Sequence, residues 1–203
     1  MRPNYFHSTG RLWSRLVRLV VVLAIVAFGA ARPAFATLTV PMRFERLVGD
    51  ASAIFRGEVV DVRSEWRQMR GESVIVTVIQ FRVERVLKGH VSALQTLEIL
   101  GGAIGDTTMA VPGMPQFSVG DRDLLCLERA GALFPVLGAS QGRFRVLTDR
   151  RGHDRVVFSD GRPVGGVMEI GRAAVVVSST PVAPMTLSGF ESTIEEELAR
   201  ARR

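Results

Sequence analysis

The chain has 203 residues, a formal net charge of +6, 47% hydrophobic residues, 23% charged residues and one cysteine. This composition is typical of a globular protein with a sizeable core. A single cysteine also excludes any intrachain disulfide.

The first 36 residues have the layout of an export signal. Four arginines between positions 2 and 18 form a basic leader, and Leu19 to Ala31 is an uncharged apolar stretch of 13 residues. That stretch is shorter than the about 20 residues that a membrane-spanning helix needs. Ala34-Phe35-Ala36 fits an A-x-A cleavage site. We therefore predict a signal peptide over residues 1–36, cleavage between Ala36 and Thr37, a periplasmic or extracellular location, and no stable membrane insertion after cleavage.

Removal of the signal changes the charge of the protein. Five of its 26 basic residues and none of its 20 acidic residues precede Thr37, which leaves 21 basic against 20 acidic residues, a net charge of +1. The sequence shows no basic stripe interleaved with aromatic residues. We therefore expect no nucleic-acid partner, and residues 37–203 are the right length for one domain.

Two elements are predicted after the cleavage site. Met42, Phe44 and Leu47 have helical spacing, and Gly49 is placed to end a helix of one or two turns. Residues 53–63 form the first long strand. Its apolar alternation changes phase around Gly57, which predicts a β-bulge there.

The central strand runs from Val74 to Gly89, after a polar hairpin loop over residues 66–73. Its first part is apolar at both odd and even positions, and its second part is apolar only at odd positions. We therefore expect a strand covered on both faces at its start and on one face at its end. This pattern predicts a buried Phe81 and a solvent-facing Arg82.

Residues 96–100 form a third strand, followed by the glycine-rich stretch 101–106. No Lys-Ser/Thr pair follows these glycines, so a turn between strands is favoured over a phosphate loop. Cys126 lies in a strand that is apolar at both parities and is predicted to be a buried, unreactive thiol. Asp121 and Asp123 occur at a turn and a strand start, where an aspartate commonly caps the chain or faces water.

The second half is predicted to contain strands over residues 142–148, 155–158 and 173–177. In the first of these, Phe144 and Val146 share one face and Arg143 lies on the other. A C-terminal helix is predicted over residues 186–203. Ser188 and Glu191 fit a capping box at its start, and four apolar residues form a stripe along it.

One motif suggests catalysis. Gly138-Ala139-Ser140-Gln141-Gly142 matches the G-x-S-x-G nucleophile elbow, and Asp149 and His153 follow in the chain order of α/β-hydrolases. An elbow joins a strand to a helix in a parallel sheet, whereas here an alternating strand follows. We therefore favour a glycine-flanked turn and keep a small serine hydrolase using Ser140 as an alternative.

Other site chemistry is sparse. Beyond the signal the only histidines are His90 and His153, both beside turns, and no cysteines are paired, so we predict no metal, no cofactor and two solvated histidines. No pair of carboxylates stands out for glycosidase chemistry. Trp66 and Met69, before the central strand, are the best candidates for a partner surface.

The order of the elements carries a resemblance. The segments AIFRGEVVDV, FRVERVLKG, QTLEIL, FSVGDRDLLCLE and FPVLGASQGRFRV, within residues 53–146, resemble exported bacterial proteins of unknown function. More distantly they are similar to the netrin-like OB barrel of tissue inhibitors of metalloproteinases. In those inhibitors an N-terminal cysteine chelates the protease zinc and disulfides hold the inhibitory edge. Here Thr37 is the predicted first residue and Cys126 stands alone, so the inhibitory mechanism does not carry over.

We expect a mainly β fold, an OB-like antiparallel barrel of the netrin/TIMP-like kind with a short N-terminal helix and a C-terminal helix. The predicted function is that of an exported, non-enzymatic binding module whose partner is a protease or another exported protein. The alternatives are the serine hydrolase and a structural envelope component. The oligomeric state is not predicted.

Overall fold

Two 17-residue strands are the longest elements among the described residues. The computed structural model describes residues 41–129, 134–167, 170–171 and 183–203. The strands are β1 Ala53–Met69, β2 Glu72–Lys88, β3 Leu94–Leu100, β4 Gly102–Ile104, β5 Thr107–Met109, β6 Arg122–Leu127, β7 Arg143–Thr148 and β8 Asp154–Phe158; the helices are α1 Phe44–Asp50 and α2 Leu187–Arg200.

Strands β1 and β2 pair along their whole length with three interruptions of register. One falls at Arg56/Gly57, where Arg56 pairs with Arg85 and Gly57 with Val83, so that Glu84 is an extra residue on β2. The register is therefore interrupted at the predicted position, but the extra residue lies on the partner strand. The extra residue that changes the phase of β1 is Val60, because Val59 pairs with Phe81 and Asp61 with Gln80. Bulges bend and twist a strand pair, which explains how strands of this length stay within a small fold.

The hairpin between β1 and β2 is tighter than predicted. The loop expected over residues 66–73 is wrong, because cross-strand pairing continues from Trp66 opposite Ile75 to Met69 opposite Glu72. Arg70 and Gly71 form the two-residue turn, with positive φ angles of 53° and 88°. Turns with two positive φ angles match the twist of the flanking strands. The polar sequence here belongs to a paired arm, not to a loop.

Six strands make one antiparallel sheet in the order β3-β2-β1-β6-β7-β8, and β4 and β5 form a separate hairpin. The mainly β, antiparallel class is confirmed, and so are the two helices. The closed barrel is wrong. After β3 the chain turns into the small β4–β5 hairpin, and after β8 it returns along the edge of β8 through bridges to Pro163 and Thr186. No described strand joins β3 to the far side of the sheet.

The described part of the sheet carries an apolar cluster on each side. One contains α1, α2 and the β6–β8 residues Leu124, Cys126, Phe144 and Val146. The other is formed by residues of β1, β2 and β3 with their neighbours: Ala53, Phe55, Val59, Ile79, Phe81, Leu97, Ile99, Phe117, Leu125, Leu127 and Val136.

The predicted faces of β2 are confirmed. Ile75, Val76 and Val78 are all buried near its start, Phe81 is fully buried, and the side chain of Arg82 is 60% exposed. Successive side chains of a strand point to opposite faces, so burial changes from every residue to alternate residues where only one face of β2 is covered.

The N-cap of helix α2 lies two residues before the predicted cap, Ser188. Thr186 is the N-cap and its Oγ1 accepts a hydrogen bond from Gly189 N at 3.2 Å. The predicted capping box of Ser188 and Glu191 is therefore wrong. Glu191 is buried and binds the sheet instead, an interaction described below. The strand predicted over residues 173–177 lies outside the described residues.

Cys126 is predicted to resist thiol reagents in the folded protein. It is 1% exposed, and burial raises the pKa of its thiol to about 12. Since the thiolate is the reactive form, both access and ionisation oppose labelling at neutral pH. We expect Ellman's reagent to titrate one thiol only after denaturation. Rapid native labelling would contradict the buried placement; the matched control, Ser52→Cys at an exposed position, should react at once.

Candidate functional site

Among the described residues, no strand pairs with the outer edge of β3. Gly101 N donates to Ile75 O at 2.8 Å, and Val83 N donates to Ala93 O at 2.9 Å, just beyond the two ends of β3. Hydrogen-bonded pairs alternate along an antiparallel ladder. The odd-numbered residues of β3 therefore bond to β2. The backbone groups that face away from β2 belong to Leu94, Thr96, Glu98 and Leu100.

Within the described part of the chain, these outward groups have one partner outside β2. Gln95 Nε2 donates to Thr96 O at 3.0 Å, and Gln95 Oε1 accepts a long bond of 3.4 Å from Ser92 N. The other outward N–H and C=O groups of β3 have no partner among the described residues. An edge with unpaired backbone groups is a template for strand addition.

A groove of about 740 Å³ lies beside this edge. Its described lining combines β3, the end of the β1–β2 arm and the chain on either side of β6. The lining residues are Ser52, Met69, Arg70, Val76, His90, Val91, Gln95, Thr96, Leu97, Glu98, Leu100, Leu127, Glu128, Arg129 and Pro135.

The second wall of the groove is the end of β6 and the segment paired with it. Leu127 forms an isolated antiparallel bridge with Val136, and Glu128 N donates to Pro135 O at 2.8 Å. Leu127 and Val136 share an apolar cluster with Leu97 of β3, so the two walls meet over one apolar floor. The groove therefore lies between β3 and the end of β6, where the sheet is not closed.

The structure separates the two residues predicted to form a partner surface. Trp66 is 51% exposed on the β1–β2 arm and does not line the groove. Met69 is half-buried and lines it, next to Arg70. Alternation explains the difference, because the two residues are three positions apart on β1 and so lie on opposite faces.

The charges along the groove have both signs. Glu98 projects from β3, and its Oε1 lies 3.3 Å from Arg67 Nη2 with about half of each side chain exposed. Arg67 also lies 2.7 Å from Glu65. Exposed pairs of this kind contribute little to stability, so Glu98 stays available to a cationic neighbour.

The G-x-S-x-G segment is a turn. Gly138 and Ala139 have φ angles of 62° and 63°, and the chain continues into β7, which pairs antiparallel with β6 and β8. Asp149 accepts bonds from His153 N and the Arg155 side chain, and these hold the pKa of its carboxyl at about 2. The carboxylate thus serves the β7–β8 turn, and no strand-to-helix elbow surrounds Ser140.

Sequence reasoning missed a buried ionic cluster. Asp123 was expected to cap the chain or face water, and Arg143 only to lie opposite Phe144 and Val146, but both side chains are buried. Arg143 Nε and Nη2 donate to the two oxygens of Asp123 at 3.0 and 2.9 Å, and Nη2 also donates to Asp121 at 2.9 Å. Burial raises the pKa of the Asp123 carboxyl, and the hydrogen bonds from Arg143 oppose that rise.

The same guanidinium holds the segment before β6. It lies 4.0 Å from the centre of the Phe117 ring and donates to the backbone oxygen of Gln116. Phe117 in turn packs against Phe81. The cluster therefore has a structural role. The sequence gives little signal for it, because Arg143 and Arg145 both alternate with the apolar residues of β7.

A second missed cluster attaches α2 to the sheet. Arg56 and Arg85 are paired across β1 and β2, where like charges repel. The buried Glu191 of α2 lies 2.7 Å from Arg56 and 2.6 Å from Arg85, and Arg85 also binds Glu195. Glu191 thus bridges the two cross-strand cations and orients the helix, and Glu84 supplies a second carboxylate to Arg56.

Other site types lack support in the described part of the chain. Both histidines are exposed as predicted, and the described residues contain no group of three or more His, Cys, Asp or Glu side chains that could hold a metal ion. Within the same residues, no helix has the length and apolar character that a bilayer span requires. No protein-family model matches the chain, and the curated proteins contain no match to it.

Proposed function

We propose that this protein is an exported, non-enzymatic binding module that holds an extended segment of another exported protein in the groove along β3. The observation that carries the proposal is the free edge of β3, whose outward backbone groups lie beside a groove of about 740 Å³. Main-chain hydrogen bonds to an exposed sheet edge supply affinity for an added strand, and neighbouring pockets supply specificity.

The curl of the sheet supports an OB-type relationship as part of this proposal. OB barrels bind ligands through one strand face and the adjacent loops. Here β1 and β2 are bulged and long, and the groove lies between β3 and the end of β6. The protein would then be an open member of that architecture, in which the partner occupies the position of the missing strand. A protease is one class of exported partner that presents extended segments.

Site-specific photocrosslinking tests the proposal. With p-benzoylphenylalanine at position Thr96, which lines the groove and is exposed, we expect discrete adducts with exported protein after irradiation of the periplasm or medium. The crosslinked protein should begin at Thr37. Peptide mapping should place the adduct in a segment of the partner that binds as a strand.

The matched control places the same probe at Leu147, an exposed residue of β7 that does not line the groove. We expect no discrete adduct there. The proposal is wrong if Thr96 gives no adduct, or if both positions give the same set of adducts.

A further inference from the structure

We infer that the occupant of the groove is an extended polypeptide segment, antiparallel to β3, in which a basic residue lies between two apolar residues. This inference rests on the proposed function and names the chemistry of its partner. Two features carry it: the backbone groups left free on β3, and the charges and apolar surface on either side of that edge.

The backbone determines the register. Outward-facing groups occur at alternate residues of β3, so an antiparallel strand forms its paired hydrogen bonds opposite Thr96 and Glu98. Every pairing already in the sheet is antiparallel. Thr96 O accepts a hydrogen bond from the side-chain amide of Gln95. An incoming N–H either displaces this amide or shares the carbonyl oxygen with it.

The side chains determine the composition of the segment. Residues directly opposite one another on paired strands lie on the same face of the sheet. The residues opposite Leu97 and Ile99, which are 5% and 6% exposed, face the apolar floor and should be apolar. The residue between them lies opposite Glu98, whose carboxylate is about half exposed, and should be basic.

A second copy of the chain is a weaker occupant. The groove has two walls, β3 on one side and the Leu127 to Arg129 segment with Pro135 on the other. A single strand inserts between two walls, whereas the edge of a second sheet brings its neighbouring strands with it. The sequence of β3 also lacks a basic residue to place opposite Glu98.

The probe is a synthetic fluorescent hexapeptide, TIKVTV, acetylated and amidated at its ends. In the inferred register its lysine lies opposite Glu98, and its isoleucine and fourth-position valine lie opposite Ile99 and Leu97. We expect saturable binding by fluorescence anisotropy, and about fivefold weaker binding of TIEVTV, in which like charges are opposed. Glu98→Lys should reverse this preference, because Arg67 keeps its contact with Glu65.

A proline variant tests the role of the backbone edge. Thr96→Pro removes an N–H that faces away from β2, so it weakens binding about tenfold and leaves the ladder to β2 intact. Gln68→Pro is the matched control, since Gln68 lies on the unpaired side of the β1–β2 arm, away from the groove. It should bind the peptide like the wild-type protein. Thermal unfolding of both variants verifies that they fold.

The outcomes separate the two proposals. Equal binding of the lysine and glutamate peptides, a preference unchanged in Glu98→Lys, or unweakened binding to folded Thr96→Pro would overturn the inferred segment, while adducts at Thr96 would still support the binding module. A concentration-dependent dimer in sedimentation experiments, lost in Thr96→Pro, would overturn the inference in favour of a second copy. Absence of adducts at Thr96 would overturn the proposed function itself.

Discussion

We expect Phe81→Ala to lower the free energy of unfolding by about 3 to 5 kcal/mol, the range for a buried aromatic side chain removed from a core. Phe81 is fully buried, and its ring packs edge-on against Phe55 at 5.6 Å and Phe117 at 5.5 Å. Those rings come from β1 and from the segment before β6. The substitution therefore leaves a cavity where three parts of the chain meet, and urea unfolding measures its cost.

Arg82→Ala is the control on the adjacent residue. The Arg82 side chain is 60% exposed and pairs with Glu58 on the surface. Exposed ion pairs contribute about 0 to 1 kcal/mol, so the urea midpoint should change little. A larger loss in Arg82→Ala than in Phe81→Ala would contradict the assignment of faces on β2, provided that both transitions are two-state.

We expect Asp123→Ala to be comparably damaging, with a loss of about 3 to 5 kcal/mol, because it leaves the buried Arg143 without its main counter-ion. Asp123 is fully buried and accepts two hydrogen bonds from the guanidinium. Asp121 remains at 2.9 Å and compensates for part of the loss. Urea unfolding at neutral pH is the measurement.

Two further variants separate lost charge pairing from lost volume. Asp61→Ala removes an exposed partner of Arg63 and should cost less than about 1 kcal/mol. The double variant Asp123→Leu with Arg143→Met removes both buried charges and should recover at least half of the loss, since apolar replacement of a buried pair is often neutral. If the double variant were less stable than Asp123→Ala, the cost would come from packing and not from an unpaired charge.

Alternation and composition were sufficient to predict whether a residue is buried where its environment depends on residues close to it in the sequence. The change of pattern along β2 predicted a buried Phe81 and an exposed Arg82, because period-two alternation is a property of the strand alone. Cys126 was predicted to be buried from the apolar residues beside it. The change of phase within β1 predicted a β-bulge in that strand, although its extra residue is Val60 and not Gly57. The apolar stripe of α2 likewise needed only its own sequence.

Only the tertiary structure decided the features that depend on residues far apart in the chain. Arg143 and Asp123, 20 positions apart, are charged residues whose burial no local pattern predicted; they are buried because each supplies the other's counter-ion. Glu191 was expected to cap its own helix, but it accepts a hydrogen bond from Arg56, which is 135 positions away in the sequence.

The largest difference between prediction and structure is that the sheet is open and not a closed barrel. Strand alternation predicts the strands and their faces but not which edges stay unpaired, because closure depends on where the connecting segments lead. Here the chain after β8 covers the edge of β8, whereas no described strand pairs with the outward backbone groups of β3. The sequence alone determined that this is an antiparallel β protein with an export signal expected at its start. The groove beside β3, from which the proposed function follows, arises from long-range pairing that no local pattern encodes.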